Sequence, residues 1–237
     1  MNGQRRTNRQ SKWLAVGACA ALIFLGLHTS AHALSIKISD GIATPIEVTD
    51  GGVGDIMSQT GAVGWSGSIG VFTLNVTVGQ SDPLLGAVDA PALHLTSVHT
   101  SSAPGSLTIM LTDTDFTLPL AAGLDSFVSA IGGTGGTVTS FKTYFDTSNT
   151  PFGTGTLLAD LGPYAGASFA GQSSIGLLPP SSPYSLTMIA SISHSGISTT
   201  SVDAQLAAVP EPSTVLLLGS GLAGLAWWRH RKAQAVQ

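Results

Sequence analysis

Two clusters of carboxylates are the side chains in this sequence best suited to chemistry. Asp50 and Asp55 bracket the stretch Asp-Gly-Gly-Val-Gly-Asp, and Asp113 and Asp115 flank Thr114. Loop carboxylates can supply the roughly six to eight oxygens that calcium takes. Neither cluster has the Asp-x-Asp-x-Asp-Gly frame with a distal glutamate, and Glu47 is the only glutamate in residues 34–208. Turn-forming and capping aspartates are therefore the simpler expectation. No cofactor is expected, with calcium at Asp50, Asp55, Asp113 and Asp115 as the alternative. Asp113 and Asp115, two apart on one strand, would share a face and could form the acid pair of a glycoside hydrolase. Such a site needs a cleft with aromatic walls, and Trp65 is the only tryptophan of this region.

Other chemistry is poorly supported. His94 and His99, five residues apart, face opposite sides of a strand and make a poor metal pair; with His194 they are expected to be hydrogen-bonded surface histidines. Cys19, the only cysteine, sits early in an N-terminal apolar run, where a lipoprotein-type cleavage box does not belong. No serine lies in a Gly-x-Ser-x-Gly elbow. Gly132-Gly133-Thr134-Gly135-Gly136 lacks the lysine and helix of a phosphate loop, and predicts a hairpin turn. The pairs Thr112/Thr114, Thr137/Thr139 and Thr154/Thr156 have no common spacing, so no repeating threonine rank is expected. The region reads as non-enzymatic.

The elements that must carry these residues are strands. In Val71 to Val78, Phe72, Leu74, Val76 and Val78 alternate with polar residues. Leu107, Ile109 and Leu111 alternate in Ser106 to Thr112, and Leu186, Met188, Ala190 and Ile192 in Tyr184 to Ser193. Shorter candidates are 34–38, 45–49, 92–98, 127–131, 138–145, 154–159 and 198–206, the last continuing to Val209. Asp40-Gly41, Asp50-Gly51-Gly52, Gly132-Gly133 and Pro179-Pro180 punctuate them as turns. Ile-Ser-Asp-Gly at 38–41 and Val-Thr-Asp-Gly at 48–51 mark consecutive strand ends. With no amphipathic helix between them, these segments predict an all-β fold: one antiparallel β-sandwich over residues 34–208, with a barrel as the alternative.

Charge narrows the partners. Of nine basic residues only Lys37 and Lys142 fall in residues 34–208, against twelve acidic ones, a net charge near −10. Nucleic acid is excluded for want of a basic footprint, and anionic lipid is disfavoured. Cations and neutral polymers such as glycans remain compatible. The absence of cysteine leaves packing alone to hold the domain.

Both chain ends read as membrane signals. Arg5, Arg6, Arg9 and Lys12 precede an apolar run from Trp13 to Leu27, followed by Ala31-His32-Ala33. That is the layout of a signal peptide over residues 1–33, with Ala31 and Ala33 in the small −3 and −1 positions. At the other end, Val209-Pro210-Glu211-Pro212-Ser213 precedes an uncharged stretch over 214–228 and the basic tail 229–237. The prolines predict a stiff, extended, solvent-facing segment. Ser213 to Trp228 as a helix spans roughly 24 Å, short against a hydrocarbon core of about 30 Å. Trp227 and Trp228 suit the interface, and Arg229, Arg231 and Lys232 the cytoplasmic side. The segment between the two basic clusters then lies outside the inner membrane.

This three-part tail, residues 209–237, resembles the PEP-CTERM sorting signal of Gram-negative bacteria, which also occurs on some proteins labelled ice-binding. The resemblance implies that Val209, Pro210, Glu211 and Pro212 are recognised by an exosortase, a membrane-embedded transpeptidase; at the other end, the layout of residues 1–33 itself makes signal peptidase the expected partner. It also implies association with extracellular polysaccharide and biofilm matrix. The expected life history is a single-pass inner-membrane precursor and a mature form at the cell surface or outside the cell. A secreted polysaccharide hydrolase and a permanently anchored protein are the alternatives.

Overall fold

A computed structural model describes residues 34–118, 124–135, 137–176, 182–210, 220–222 and 224. The predicted leader with Ala31 and Ala33, the Pro179-Pro180 turn, Glu211, Pro212, and the basic end with Trp227, Trp228, Arg229, Arg231 and Lys232 lie outside them. Residues 220–222 and 224, inside the predicted span, are helical. No helix among the described residues is long and apolar enough to cross a membrane.

The alternating segments form strands β1 (Ser35–Ser39), β2 (Ile46–Thr49), β3 (Ala62–Ile69), β4 (Phe72–Gln80), β5 (Gly86–Ala87), β6 (Ala90–Ser101) and β7 (Gly105–Phe116). They continue with β8 (Leu124–Thr134), β9 (Thr137–Asp146), β10 (Thr156–Leu161), β11 (Tyr164–Ala165), β12 (Ser168–Ile175), β13 (Tyr184–His194) and β14 (Ser198–Pro210). Sheet A has the order β10-β9-β13-β7-β1-β2, with β11 on β9; sheet B has the order β12-β8-β14-β6-β4-β3, with β5 on β6. Neighbours pair antiparallel throughout. The inner faces meet in one apolar cluster, with Ile36, Ile38, Leu107, Ile109, Leu111, Phe141, Met188 and Ile192 from sheet A. Leu74, Leu93, Leu95, Phe127, Ile131, Val202 and Leu206 oppose them from sheet B. Burying these side chains is the main source of stability in a domain without disulfides.

Four sequence expectations are corrected. Strands β3 and β12 were not foreseen: both are sheet edges, and their sequences, AVGWSGSI and SFAGQSSI, mix small and polar residues instead of alternating cleanly. In β4 a register shift between Leu74 and Val76 flips the strand. Phe72 and Leu74 face the core as expected, but Thr77 and Gly79 follow them inward, leaving Val76 47% exposed. A bulge inserts one residue and reverses the period-2 pattern beyond it. Gly132 and Gly133 lie within β8, not in a hairpin turn. The chain turns at Gly135, with φ of 70°, and passes from sheet B to β9 in sheet A. Finally, Val209 and Pro210 are the last residues of β14, paired with Ser126 and Leu124 of β8. These two residues are extended, and they lie inside the sheet, not in a free stalk.

Candidate functional site

The acidic clusters are absorbed by the fold. Asp55 Oδ1 accepts from the N–H groups of Met57 and Gly64, each at 2.9 Å, and its Oδ2 accepts from Gly51 at 2.9 Å. Asp50 Oδ2 accepts from the Gly61 N–H at 2.7 Å. These carboxylates tie the β2–β3 loop to itself, as Asx-type turns do. Asp113 is fully buried and accepts from the Thr114 N–H at 2.8 Å. Asp115, at φ 65°, exchanges two hydrogen bonds with Asn149: its N–H donates to Oδ1 at 2.9 Å and its Oδ1 accepts from Nδ2 at 2.7 Å. The register shift opposite Tyr184 and Leu186 breaks the alternation between these aspartates, so the shared face expected of an acid pair is not formed. Asp146 gathers the Ser148 N–H and hydroxyl and the Thr150 hydroxyl, which hold its carboxyl below the ordinary carboxylate range. Among the described residues no group of three or more His, Cys, Asp or Glu side chains is placed to hold a metal.

The histidines divide differently from expectation. His94 and His99 do face opposite sides of β6, but His99 and His194 are buried in the core and not at the surface. Their rings stack across the two sheets with centroids 5.6 Å apart, and Phe72 packs against both. Ser101 Oγ donates to the Gly196 carbonyl at 2.8 Å, so it accepts from His194 Nδ1 at 2.6 Å, and His194 Nε2 then accepts from the Thr200 hydroxyl at 2.8 Å. This polarity is the reverse of nucleophile activation, in which the imidazole takes the serine proton. Ser101 is also buried. The pair is structural. Its sequence signal was available: His99 continues the inward parity of Leu93 and Leu95, and His194 that of Met188, Ala190 and Ile192.

One surface feature remains that neither motif nor spacing announced. On the outer face of sheet B, Ala130 and Gly132 of β8 form the floor of an open trough of about 440 Å³. Its walls are Ala170 and Gln172 of β12 and Asp203 and Gln205 of β14. The register sets Gln172, Ala130, Gln205, His94 and Gln80 in one row across five strands. His94 Nε2 lies 3.2 Å from Asp203 Oδ2, and its Nδ1 lies 3.4 Å from Gln80 Oε1. The trough holds one carboxylate and no aromatic ring.

Fold and tail together define an all-β protein that carries a sorting signal. Residues 208–232 match the PEP-CTERM protein-sorting motif, which implies recognition by an exosortase and export to the cell envelope and surface. No curated protein sequence matches the chain. Among solved structures, the chain is similar to the enzymatically active domain of bacteriophage CBA120 tailspike protein 4, with 11% identity and a TM-score of 0.38 over 63% of this chain. It spans only 20% of that protein. It is also similar to TmCBM61, solved with β-1,4-galactotriose, at 8% identity and TM-score 0.30, covering 59% of this chain and 90% of that one. The K2 cleaved adhesin domain of Lys-gingipain aligns at 9% identity and TM-score 0.28, covering 74% and 98%.

Proposed function

We propose that the chain is an exosortase-processed surface or extracellular-matrix protein that accompanies extracellular polysaccharide and has no catalytic activity of its own. In this reading, signal peptidase removes residues 1–33 after Ala33. The segment 214–228 then holds the precursor in the inner membrane, with Arg229, Arg231 and Lys232 on the cytoplasmic side. Exosortase recognises Val209 to Pro212 and detaches the β-domain. The match of residues 208–232 to the sorting motif carries the proposal. Charge supports the kind of partner: Lys37 and Lys142 are the only cations of the domain, and they are paired with Glu47 at 3.0 Å and Asp160 at 3.3 Å. A hydrolase is the weaker reading, because the trough presents a single carboxylate, Asp203, with no aromatic wall.

Replacement of Glu211 by Ala tests it. The variant is expected to keep its folded domain and to accumulate as membrane-bound precursor, read by fractionation and by intact mass of the extracellular form. Normal release of the variant, or a released form that still ends at Gln237, would overturn the processing step.

A further inference from the structure

We propose that the trough on the outer face of sheet B binds a single chain of neutral polysaccharide, lying along β8. This rests on the reading of the protein as a companion of extracellular polysaccharide, and it names the site.

The first argument is shape. Val128, Ala130 and Gly132 stand in succession on the outward side of β8 while Phe127 and Ile131 face the core. The flanking strands raise Gln172 on one side and Asp203 and Gln205 on the other. Strands spaced about 4.8 Å apart put these two walls roughly 10 Å from each other, the width of one extended polymer chain.

The second argument concerns the floor. Gly133 is required by packing, since an added Cβ would overlap the Ser201 carbonyl and lie 2.6 Å from the Phe169 ring. Gly132 is not: a Cβ there would meet nothing nearer than the Phe169 carbonyl at 3.6 Å. Glycine within a strand is less stable than alanine, and no close packing at this position calls for it. Its effect is to leave the trough open.

The third argument is chemistry. Each glutamine amide offers donors and an acceptor, and Asp203 is an acceptor steadied by His94. At one end the hydroxyls of Thr134 and Ser201 lie 2.8 Å apart. Sugar hydroxyls both donate and accept, and match this set. An anionic polymer would find Asp203 and no counter-charge, because both lysines lie on sheet A. Without a ring for stacking, recognition is by hydrogen bonds alone, so each site is weak and retention depends on many copies along one polymer.

The test uses the full chain in detergent. Binding is measured by affinity electrophoresis against a β-glucan, a galactan, a mannan and the polysaccharide extracted from the producing cells, with alginate as anionic control. The wild type is expected to be retarded by at least one neutral polymer and not by alginate. Gly132→Leu and Ala130→Leu fill the trough at positions that face solvent. Each is expected to weaken retardation about tenfold with little change in Tm, and Gln172→Ala combined with Gln205→Ala to weaken it similarly. Thr108→Leu, on the outer face of sheet A, serves as the control without effect. Absence of binding to every neutral polymer, retardation unchanged in Gly132→Leu, or a protein ligand lost in that variant in place of a glycan would each overturn the site. Localisation is scored separately. Matrix retention of wild type and Gly132→Leu alike would remove the trough and leave the functional reading standing, whereas failure of export would remove the functional reading.

Discussion

A neutral imidazole sealed between two sheets ties stability to pH. Burial pushes the His99 pKa down from its ordinary 6.5 to about 4, with the neighbouring His194 acting in the same direction. Burial lowers His194 as well. The groups facing them, Ser97, Ser101, Thr200 and Phe72, carry no charge that could hold a proton in place. Between pH 6.5 and 4 the unfolded chain therefore binds more protons than the folded one, and stability falls as pH falls. From pH 7 to pH 5 the loss attributable to His99 is about 2 kcal/mol, read as a drop in Tm by calorimetry. His99→Phe, which keeps an aromatic ring beside Phe72, is expected to flatten most of that slope; equal slopes in both proteins would refute the assignment. Asp55 supports a second prediction. Three backbone N–H groups depend on its carboxylate, so Asp55→Ala should cost about 1–3 kcal/mol in urea unfolding. If its role is this loop and not calcium, chelator leaves the wild-type midpoint unchanged.

Among the elements, β4 shows where alternation stops being a sufficient guide. Its bulge turns Thr77 inward, where the hydroxyl meets Ser97 Oγ at 2.9 Å, and brings Gly79 beneath Leu111 of the opposite sheet, whose side chain an added Cβ would overlap. Gly79→Ala is expected to destabilise by about 1–3 kcal/mol through overpacking, and Leu111→Ala by about 2–5 kcal/mol through the cavity it leaves. Because each change relieves the other, the double variant should lose clearly less than the sum, measured as a double-mutant cycle in urea; strict additivity would mean the two do not meet. Much of the sandwich was legible because β1, β7, β9, β13 and β14 alternate over long stretches with one face buried. The edges β3 and β12 were not: the inward face of β12 runs Phe169, Gly171, Ser173 and Ile175, and a register shift between Trp65 and Gly67 interrupts β3, so neither shows a clean apolar period. The trough was illegible for a related reason. Gln172, Ala130 and Gln205 stand far apart in sequence, and only the pairing of β12, β8 and β14 makes them neighbours.

At the scale of the molecule, the sorting motif grows directly out of the body. β14 lies between β8 and β6 in the interior of sheet B, so its final residues are held by pairing: Ala207 with Val128 and Ala92, Ala208 with Phe127, Val209 with Ser126 and Pro210 with Leu124. The Ser126 hydroxyl adds a bond to the Val209 carbonyl at 3.2 Å. A protease cutting within this stretch would first have to unzip it, at about 1 kcal/mol net for each hydrogen bond broken, and would leave the rim of the core at Phe127 uncovered. A cut at or beyond Pro210 disturbs none of this. The processed C-terminus is accordingly expected at or after Pro210, and intact mass of the extracellular form decides it. The same logic sets an order of stability. A chain ending at Pro210 should melt close to the full-length domain, while one ending at Leu206 should melt several degrees lower, because only the second loses strand pairs on which sheet B relies. Equal melting of the two truncations would show that the last turn of sheet pairing contributes nothing, and with it the reason for placing the cut outside β14 would disappear.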